Sequence, residues 1–268
     1  MNDAHNITKG QLGKIEAAFL AKAGTLPTFT LALARQMLSH TKDDPTPQFL
    51  ERLQSKGWIR RIRRGRFAVV PLSSGDNRSP QLHEFVVAME LISPAVIAYW
   101  SALSHHGMTE QLPRTVFVAT DHPVRRQPGN VLGVNYRIVS LKPDKLFGVM
   151  KDWIDEIPFS VTDREKTIID GLDLPQYVGG VSEIAKTLTV SWRVLDEKKL
   201  RKYAAKIGNS AVGKRLGFMM EILGLGDVEA LRTAIPRAPG FSPLDPTMPK
   251  HGKYNRRWGL LVNVEIQP

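Results

Sequence analysis

Three stretches at the start of the chain carry apolar residues every three or four positions, which predicts three short amphipathic helices. Gly24 can end the first helix, Thr28 or Thr30 can cap the second, and Thr46 can cap the third, with Pro47 in its first turn. The apolar faces are formed by Leu12, Ile15 and Phe19, by Leu31, Ala34 and Leu38, and by Phe49, Leu50 and Leu53.

Two short β-prone runs follow the third helix. Trp58–Ile62 and Arg66–Val70 flank the turn Arg63–Gly65, and this arrangement predicts a β-hairpin. Three helices followed by a hairpin within about 65 residues is the element order of a winged helix-turn-helix. In that interpretation the second and third helices form the helix-turn-helix, and the hairpin is the wing.

The remainder of the chain mixes helices and strands after a polar stretch rich in turn formers, Ser73–Pro80, which predicts a linker. Serine before proline predicts helix starts at Ser79-Pro80 and Ser93-Pro94. The spacing of Thr162 and Glu165 predicts a capping box that opens a helix through Leu172. Further predicted elements are strands over Thr115–Thr120, Val134–Ser140 and Trp258–Ile266, and helices over Val181–Leu188, Asp196–Ile207 and Val212–Leu223.

These patterns predict an α+β fold in two domains. We expect a winged helix-turn-helix over residues 1–72, the linker over 73–80, and a larger mixed α/β domain over 81–268.

The composition indicates that the protein binds a polyanionic partner. The chain has 268 residues and a formal net charge of +11, and residues 1–72 hold 12 Lys and Arg against 5 Asp and Glu. Such a local surplus is typical of proteins that bind nucleic acid. Cysteine is absent, which excludes disulfides and thiolate metal sites. The start of the chain is polar and no apolar run reaches about 20 residues, so we expect a cytoplasmic protein without membrane contact.

The third helix and the hairpin supply candidate contacts to duplex DNA. Gln48 and Ser55 lie opposite the apolar face and Arg52 lies on its flank, where side chains of a recognition helix can reach base edges. Glu51 shares that face and could accept from cytosine or repel phosphate. A solvated basic hairpin, or RNA binding by the same cations, remains open. The complete candidate set is Thr46, Gln48, Arg52, Ser55, Lys56, Arg60, Arg61, Arg63, Arg64 and Arg66.

An enzyme is the competing class. Asp144 and the run Glu197-Lys198-Lys199 can be arranged as a metal-dependent nuclease site, although the second piece lies at a helix start more than fifty residues away. His105 and His106 are adjacent, so a helix would point them about 100° apart, which disfavours a joint metal site. We therefore expect no catalytic residue, no metal and no cofactor.

The chain resembles the AbiE-type (AbiEi-like) antitoxins of type IV toxin–antitoxin systems, a family of transcriptional regulators. No single motif carries the resemblance; the order and spacing of several do. The matching stretches are Tyr99–Gln111, Thr162–Asp170, Gly179–Val181, Lys214–Gly217 and Arg257–Asn263.

This resemblance implies a DNA-binding N-terminal domain followed by a C-terminal antitoxin domain. It implies repression of the protein's own operon through promoter repeats, bound by a monomer or a weak dimer. It also implies antagonism of a nucleotidyltransferase-like toxin without a stable complex.

Ordinary structural roles also account for these stretches, with Lys166 and Asp170 as an i,i+4 ion pair. Cations on two later helices and near the end of the chain allow two interpretations. They form a solvated face, or they form a second basic surface facing nucleic acid, including the toxin's RNA substrate. These cations are Lys198, Lys199, Arg201, Lys202, Lys206, Lys214, Arg215, Lys250, Lys253, Arg256 and Arg257.

Overall fold

The computed structural model describes residues 12–39, 46–71, 74, 80–236 and 238–266, and within them the fold is mixed α+β, as predicted. The chain divides into two compact units, Met1–Ile92 with Asn130–Val134, and Ser93–Gly129 with Asn135–Pro268. The predicted linker 73–80 falls largely outside the described residues. No helix in the described part of the chain has both the length and the apolar content needed to cross a bilayer.

In its described residues, the first unit contains four helices and a small antiparallel sheet. The strands lie in the order β1-β3-β2, and the last helix packs against β2. The elements are α1 (Lys14–Ala23), β1 (Phe29–Thr30), α2 (Leu31–Met37), α3 (Thr46–Ser55), β2 (Ile59–Arg63), β3 (Arg66–Val69) and α4 (Glu84–Leu91).

Aromatic packing holds the helices of this unit to its sheet. The ring of Phe19 on α1 meets those of Phe29 and Phe49 edge to face, at centroid distances of 5.5 and 5.3 Å. Phe29 in turn stacks on Phe67 of β3 at 5.6 Å. Thr30 caps α2 by accepting a hydrogen bond from the amide of Leu33 at 3.0 Å. The helical periodicity is therefore confirmed, and of the two alternatives for the cap of α2 the structure selects Thr30.

A β-bulge in β2 sets the direction of the hairpin side chains. The register with β3 shifts between Arg61 and Arg63, so Ile59 and Ile62, three positions apart, are both buried. A regular strand would alternate with a period of two. Because of the bulge, the arginines between and after the two isoleucines are exposed.

The second unit combines a mixed sheet with a helical core. Five strands of the sheet lie in the order β7-β5-β4-β9-β8, and a second small sheet has the order β10-β12-β11. Helices α6, α7 and α9 contribute many residues to the buried hydrophobic core. The elements are β4 (Val96–Ile97), α5 (Tyr99–His105), β5 (Thr115–Thr120), β7 (Val134–Ser140), β8 (Val149–Ile154), β9 (Ile157–Thr162), α6 (Arg164–Asp173), α7 (Val181–Ser191), α8 (Glu197–Lys206), α9 (Ser210–Leu223), α10 (Val228–Ala234), β10 (Ser242–Pro243), β11 (Lys253–Asn255) and β12 (Leu260–Val262). The short strand β6 (Gly129–Val131) falls mostly in the segment Asn130–Val134 of the first unit.

Both predicted serine–proline helix starts are wrong. Residues after Pro80 are not helical; α4 begins at Glu84, where His83 accepts a hydrogen bond from the amide of Phe85 at 3.1 Å. Pro94 is followed by strand β4 instead of a helix. Proline suits a helix start, but it suits extended and turn backbone equally, so the dipeptide alone does not decide.

Two further predictions need correction. The cap of α6 is Asp163, whose carboxylate accepts from the amide of Lys166 at 2.8 Å, and Glu165 instead accepts from the distant amide of Asp196 at 2.9 Å. Thr162 and Glu165 therefore form no capping box. The predicted final strand shrinks to β12, because a four-residue turn occupies its start.

Candidate nucleic-acid interface

Helix α3 turns a polar face to solvent. Gln48, Arg52 and Ser55 are exposed, and Thr46 is half-buried at the start of the helix. The guanidinium of Arg52 lies 5.6 Å from the centroid of the Phe49 ring. The hydroxyl of Ser55 donates to the carbonyl of Arg52 at 2.9 Å. The structure therefore places these candidate base-contacting side chains together on one helix, on the side opposite Leu50 and Leu53.

Four arginines of the hairpin are exposed: Arg60, Arg61, Arg63 and Arg64. The turn between β2 and β3 consists of Arg64 and Gly65, and the φ of 74° at Gly65 is one that glycine adopts without strain. The side chain of Arg61 bends over the turn and donates to the carbonyl of Arg63 at 3.4 Å. Arg63 and Arg64 lie at the turn, whereas Arg60 lies near the start of β2, opposite Ala68.

Arg66 and Lys56 differ from the exposed arginines because carboxylates hold them. The Nε atom of Arg66 lies 2.7 Å from Glu90 of α4; the contact is ionic, since this nitrogen makes no hydrogen bond of acceptable geometry. Lys56 donates to both carboxylate oxygens of Glu16, each at 2.8 Å. These two cations therefore fasten elements of the unit to one another, and their candidate role as DNA contacts stays a prediction.

The carboxylates that hold these cations are part of the same framework. Glu16 is buried, which by itself would raise the pKa of its carboxyl group, but the hydrogen bonds from Lys56 and the amide of Gly13 outweigh burial and lower the pKa. Glu90 also accepts a hydrogen bond from the hydroxyl of Thr28 at 2.6 Å, and its carbonyl accepts from Arg63. Local sequence patterns carry no signal for either acid, because their partners lie 40 and 24 residues away.

The adjacent histidines noted in the sequence lie at a polar cavity of the second unit, of about 480 Å³. His105 contacts the carboxylate of Asp152 at 2.8 Å, and His106 contacts the carbonyl of Thr162 at 2.7 Å. Burial lowers the pKa of His106. Lys199 bridges Asp163 and Glu165 at 3.1 and 3.0 Å. Charges around this cavity are thus largely paired within the protein.

The predicted ion pair between Lys166 and Asp170 is present, and it is almost completely buried. Burial raises the pKa of Asp170 to about 6, against the opposing effect of the Lys166 charge. Close by along the same helix, Asp173 accepts hydrogen bonds from Lys145 at 2.6 Å and from Asn209 at 2.7 Å. These contacts tie α6 to its neighbours, which is a structural role.

The cations of α8 and α9 do not form one surface. Lys214 and Arg215 are buried; Lys214 donates to the carbonyl of Gly240 at 2.9 Å, and Arg215 donates to that of Leu172 at 2.6 Å. On α8, Arg201 is paired with Glu197. The interpretation of all these side chains as a common basic face is therefore wrong.

The nuclease arrangement gains no support. Glu197 is occupied by Arg201, Lys199 by two other carboxylates, and Asp144 lies in the single 3-10 turn Pro143–Lys145. Within the described ranges, no group of three or more His, Cys, Asp or Glu side chains could hold a metal ion.

Comparisons with known proteins establish a fold. No protein-family model matches the sequence, and no curated protein matches it. The chain is similar to a solved structure, the RV2827C protein from Mycobacterium tuberculosis, with a TM-score of 0.69 at 12% sequence identity; the match covers 93% of this chain and 92% of that one. At this identity the likeness establishes a shared fold only.

Proposed function

We propose that the first unit is a winged helix-turn-helix that binds duplex DNA, with α3 as the recognition helix and the β2–β3 hairpin as the wing. The element order α1, β1, α2, α3, β2, β3 supports this interpretation, as does the packing of α2 against α3. In such domains the third helix enters the major groove and the wing contacts the neighbouring backbone.

The observation that carries the proposal is the division of the cations into two groups. Two of them, Lys56 and Arg66, are held by buried or half-buried carboxylates. The four exposed arginines belong to the hairpin that directly follows α3 in the chain, and α3 packs against β2. A hairpin with exposed arginines that follows a helix with a polar face supplies both phosphate contacts and candidate base contacts.

The proposed biological role is that of a transcriptional repressor of its own operon which also acts as a type IV antitoxin against a nucleotidyltransferase-like toxin. This part of the proposal rests on the resemblance to AbiE-type antitoxins. Co-expression with a nucleotidyltransferase-like protein encoded beside it tests the role: rescue of growth supports it, and unrelieved toxicity contradicts it.

Duplex binding is tested by replacing Arg61 and Arg64 with alanine and measuring fluorescence anisotropy on a labelled duplex. Neither side chain forms a hydrogen bond or ion pair with another element of the described chain. The matched control removes two exposed lysines from α1, Lys14→Ala with Lys22→Ala, which leaves the net charge equal. We expect the hairpin variant to bind at least about tenfold more weakly than the control. Equal affinities would contradict the wing assignment.

The same preparation tests the competing enzyme class. Incubation of supercoiled DNA with the protein and magnesium should leave the DNA intact. Magnesium-dependent nicking that follows the protein through purification would overturn the proposal that it is a binding protein.

A further inference from the structure

A second concentration of positive charge lies in a cleft of the second unit and involves none of the elements proposed to bind DNA. The cleft has a volume of about 340 Å³ and opens between α9, α10 and the turn that joins β11 to β12. Lys214, Arg232, Arg256 and Arg257 line it, and no Asp or Glu does so among the described residues. A volume of this size is at the lower end of the range for small-molecule sites.

The four cations differ in how far their charge is compensated. Arg257 and Arg232 share Glu229, and Arg257 also reaches Glu221 at 3.2 Å. In the described part of the chain, Arg256 makes no hydrogen bond or ion pair, and it is exposed. Lys214 pairs with no carboxylate there either. Two positive charges at the cleft therefore have no counter-ion among the described residues.

Lys214 is the more unusual of the two, because only 7% of it is exposed. A buried ammonium without a carboxylate partner is costly unless another anion approaches it. Gly259 leaves room for it: a Cβ there would lie 3.2 Å from the lysine Nζ and 2.9 Å from the carbonyl of Gly240. The backbone φ of 60° at Gly259 also favours glycine.

The wall of the cleft is held in place by Trp258. Its indole N–H donates to Glu221, and its ring packs against Gly217 of α9, where any Cβ would overlap it. The amide of Trp258 donates to Asn255 at 3.0 Å, which fixes the turn that carries Arg256. The cations are thus presented by a rigid frame, as preorganised binding requires.

An aromatic side chain stands at the same cleft. Phe241 lines it and is 50% exposed, and its ring meets that of Tyr254 edge to face at 4.7 Å. An exposed, supported ring beside unpaired cations is the arrangement that stacks a base and binds its phosphate. A base inside a duplex could not reach such a ring without leaving its stack.

We propose that this cleft binds a nucleotide, with the phosphate between Lys214 and Arg256 and the base on Phe241. A free nucleotide and a nucleotide unit of a single strand share this chemistry. The proposal is independent of duplex binding by the first unit.

The test uses isothermal titration of the full chain with AMP, adenosine, inorganic phosphate and a five-residue oligoadenylate RNA. The variants are Arg256→Ala and Phe241→Ala, since both side chains are exposed and their loss should leave the fold intact. Arg193→Ala and Leu112→Ala are the matched controls, because they remove an exposed cation and an exposed apolar side chain elsewhere in the unit. Lys214→Met serves as a third variant, with circular dichroism to verify folding.

We expect saturable binding of AMP or of the oligonucleotide, weakened at least about tenfold by Arg256→Ala and by Phe241→Ala and unchanged in the controls. Adenosine and phosphate should each bind more weakly than AMP. Binding of AMP alone identifies a free nucleotide, and binding of the oligonucleotide alone identifies a single strand. The proposal is overturned if neither binds, or if the variants bind as tightly as the controls.

Discussion

The contact between Lys56 and Glu16 leads to a prediction that decides whether Lys56 stabilises the fold or contacts DNA. Replacing Lys56 with methionine keeps most of the side-chain volume and removes two hydrogen bonds of 2.8 Å. The side chain of Glu16, only 8% exposed, would then lack its counter-ion. The amide of Gly13 would still donate to it at 2.9 Å.

The expected cost follows from this geometry. Removing one partner of a fully buried ion pair costs about 3–5 kcal/mol. Lys56 is 25% exposed, so water screens part of the interaction and the remaining amide hydrogen bond offsets some of the loss. We therefore expect Lys56→Met to destabilise the first unit by about 1.5–3 kcal/mol.

Hydrogen exchange read by mass spectrometry measures this destabilisation in peptides from α1 and α3. Glu16→Gln combined with Lys56→Met should recover most of the stability, because it removes the unpaired charge. The salt dependence of duplex binding should not change. Unaltered exchange in Lys56→Met, together with a shallower salt dependence, would refute this reasoning and return Lys56 to the set of DNA contacts.

The same pair predicts a pH dependence, and three further changes test other contacts. The pKa of Glu16 is lowered in the folded protein, so the stabilisation that Glu16 provides is present above pH 4.5 and is lost as the pH falls through the lowered pKa. Glu16→Gln should remove this acid sensitivity, measured by urea unfolding. Burial raises the pKa of Asp170 from 3.8 to about 6, so the folded protein holds a proton that the unfolded chain releases. The stabilisation that Asp170 provides is therefore present at low pH and is lost as the pH rises between these values. The stability of the wild type relative to Asp170→Asn should fall over that range by up to about 3 kcal/mol. A stability difference that does not vary with pH would contradict this prediction. Gly217→Ala should destabilise the second unit by about 1–3 kcal/mol in urea titration, because the new methyl group overlaps Trp258; an unchanged midpoint would show that the ring can move. Glu90→Ala should destabilise the first unit by about 1–2 kcal/mol, because Arg66 and Thr28 lose their carboxylate partner. Faster hydrogen exchange in β3 measures this loss, and unchanged exchange would show that these contacts do not stabilise the unit.

Local sequence patterns predicted helices α1 to α3 and the β2–β3 hairpin because those elements are determined locally. Thr30 caps its own helix, and Phe49, Leu50 and Leu53 follow one helical face. The hairpin turn at Gly65 also depends on its own residues. Each of these signals lies within a few positions of the structure it specifies.

The contacts that sequence patterns missed are long-range. Lys214 and Arg215 are buried, although charged residues are generally exposed. The carbonyls that accept their hydrogen bonds lie 26 and 43 residues away in the sequence. Strand β8 escaped prediction because it is exposed along most of its length and shows no alternation. Phe241 was likewise missed, since its neighbours at the cleft come from α9, α10 and a turn.

The candidate DNA contacts were predictable as a set but not as individuals. Composition identified the basic hairpin, and the bulge keeps Ile62 buried while Arg61 and Arg63 are exposed. The bulge itself, and the acids that hold Lys56 and Arg66, depend on packing between separate elements. The count of charges therefore located the candidate DNA-binding surface, but it did not separate the exposed arginines from the cations that are held by carboxylates.

The salt dependence of duplex binding tests the central claim most directly. Each arginine that neutralises a phosphate should contribute about 0.9 to the slope of the logarithm of the binding constant against the logarithm of salt concentration. Arg61→Ala with Arg64→Ala should therefore flatten the slope by about 1.8, while Lys14→Ala with Lys22→Ala leaves it unchanged. Identical slopes for the wild type and the hairpin variant would contradict the assignment of the β2–β3 hairpin to the DNA backbone.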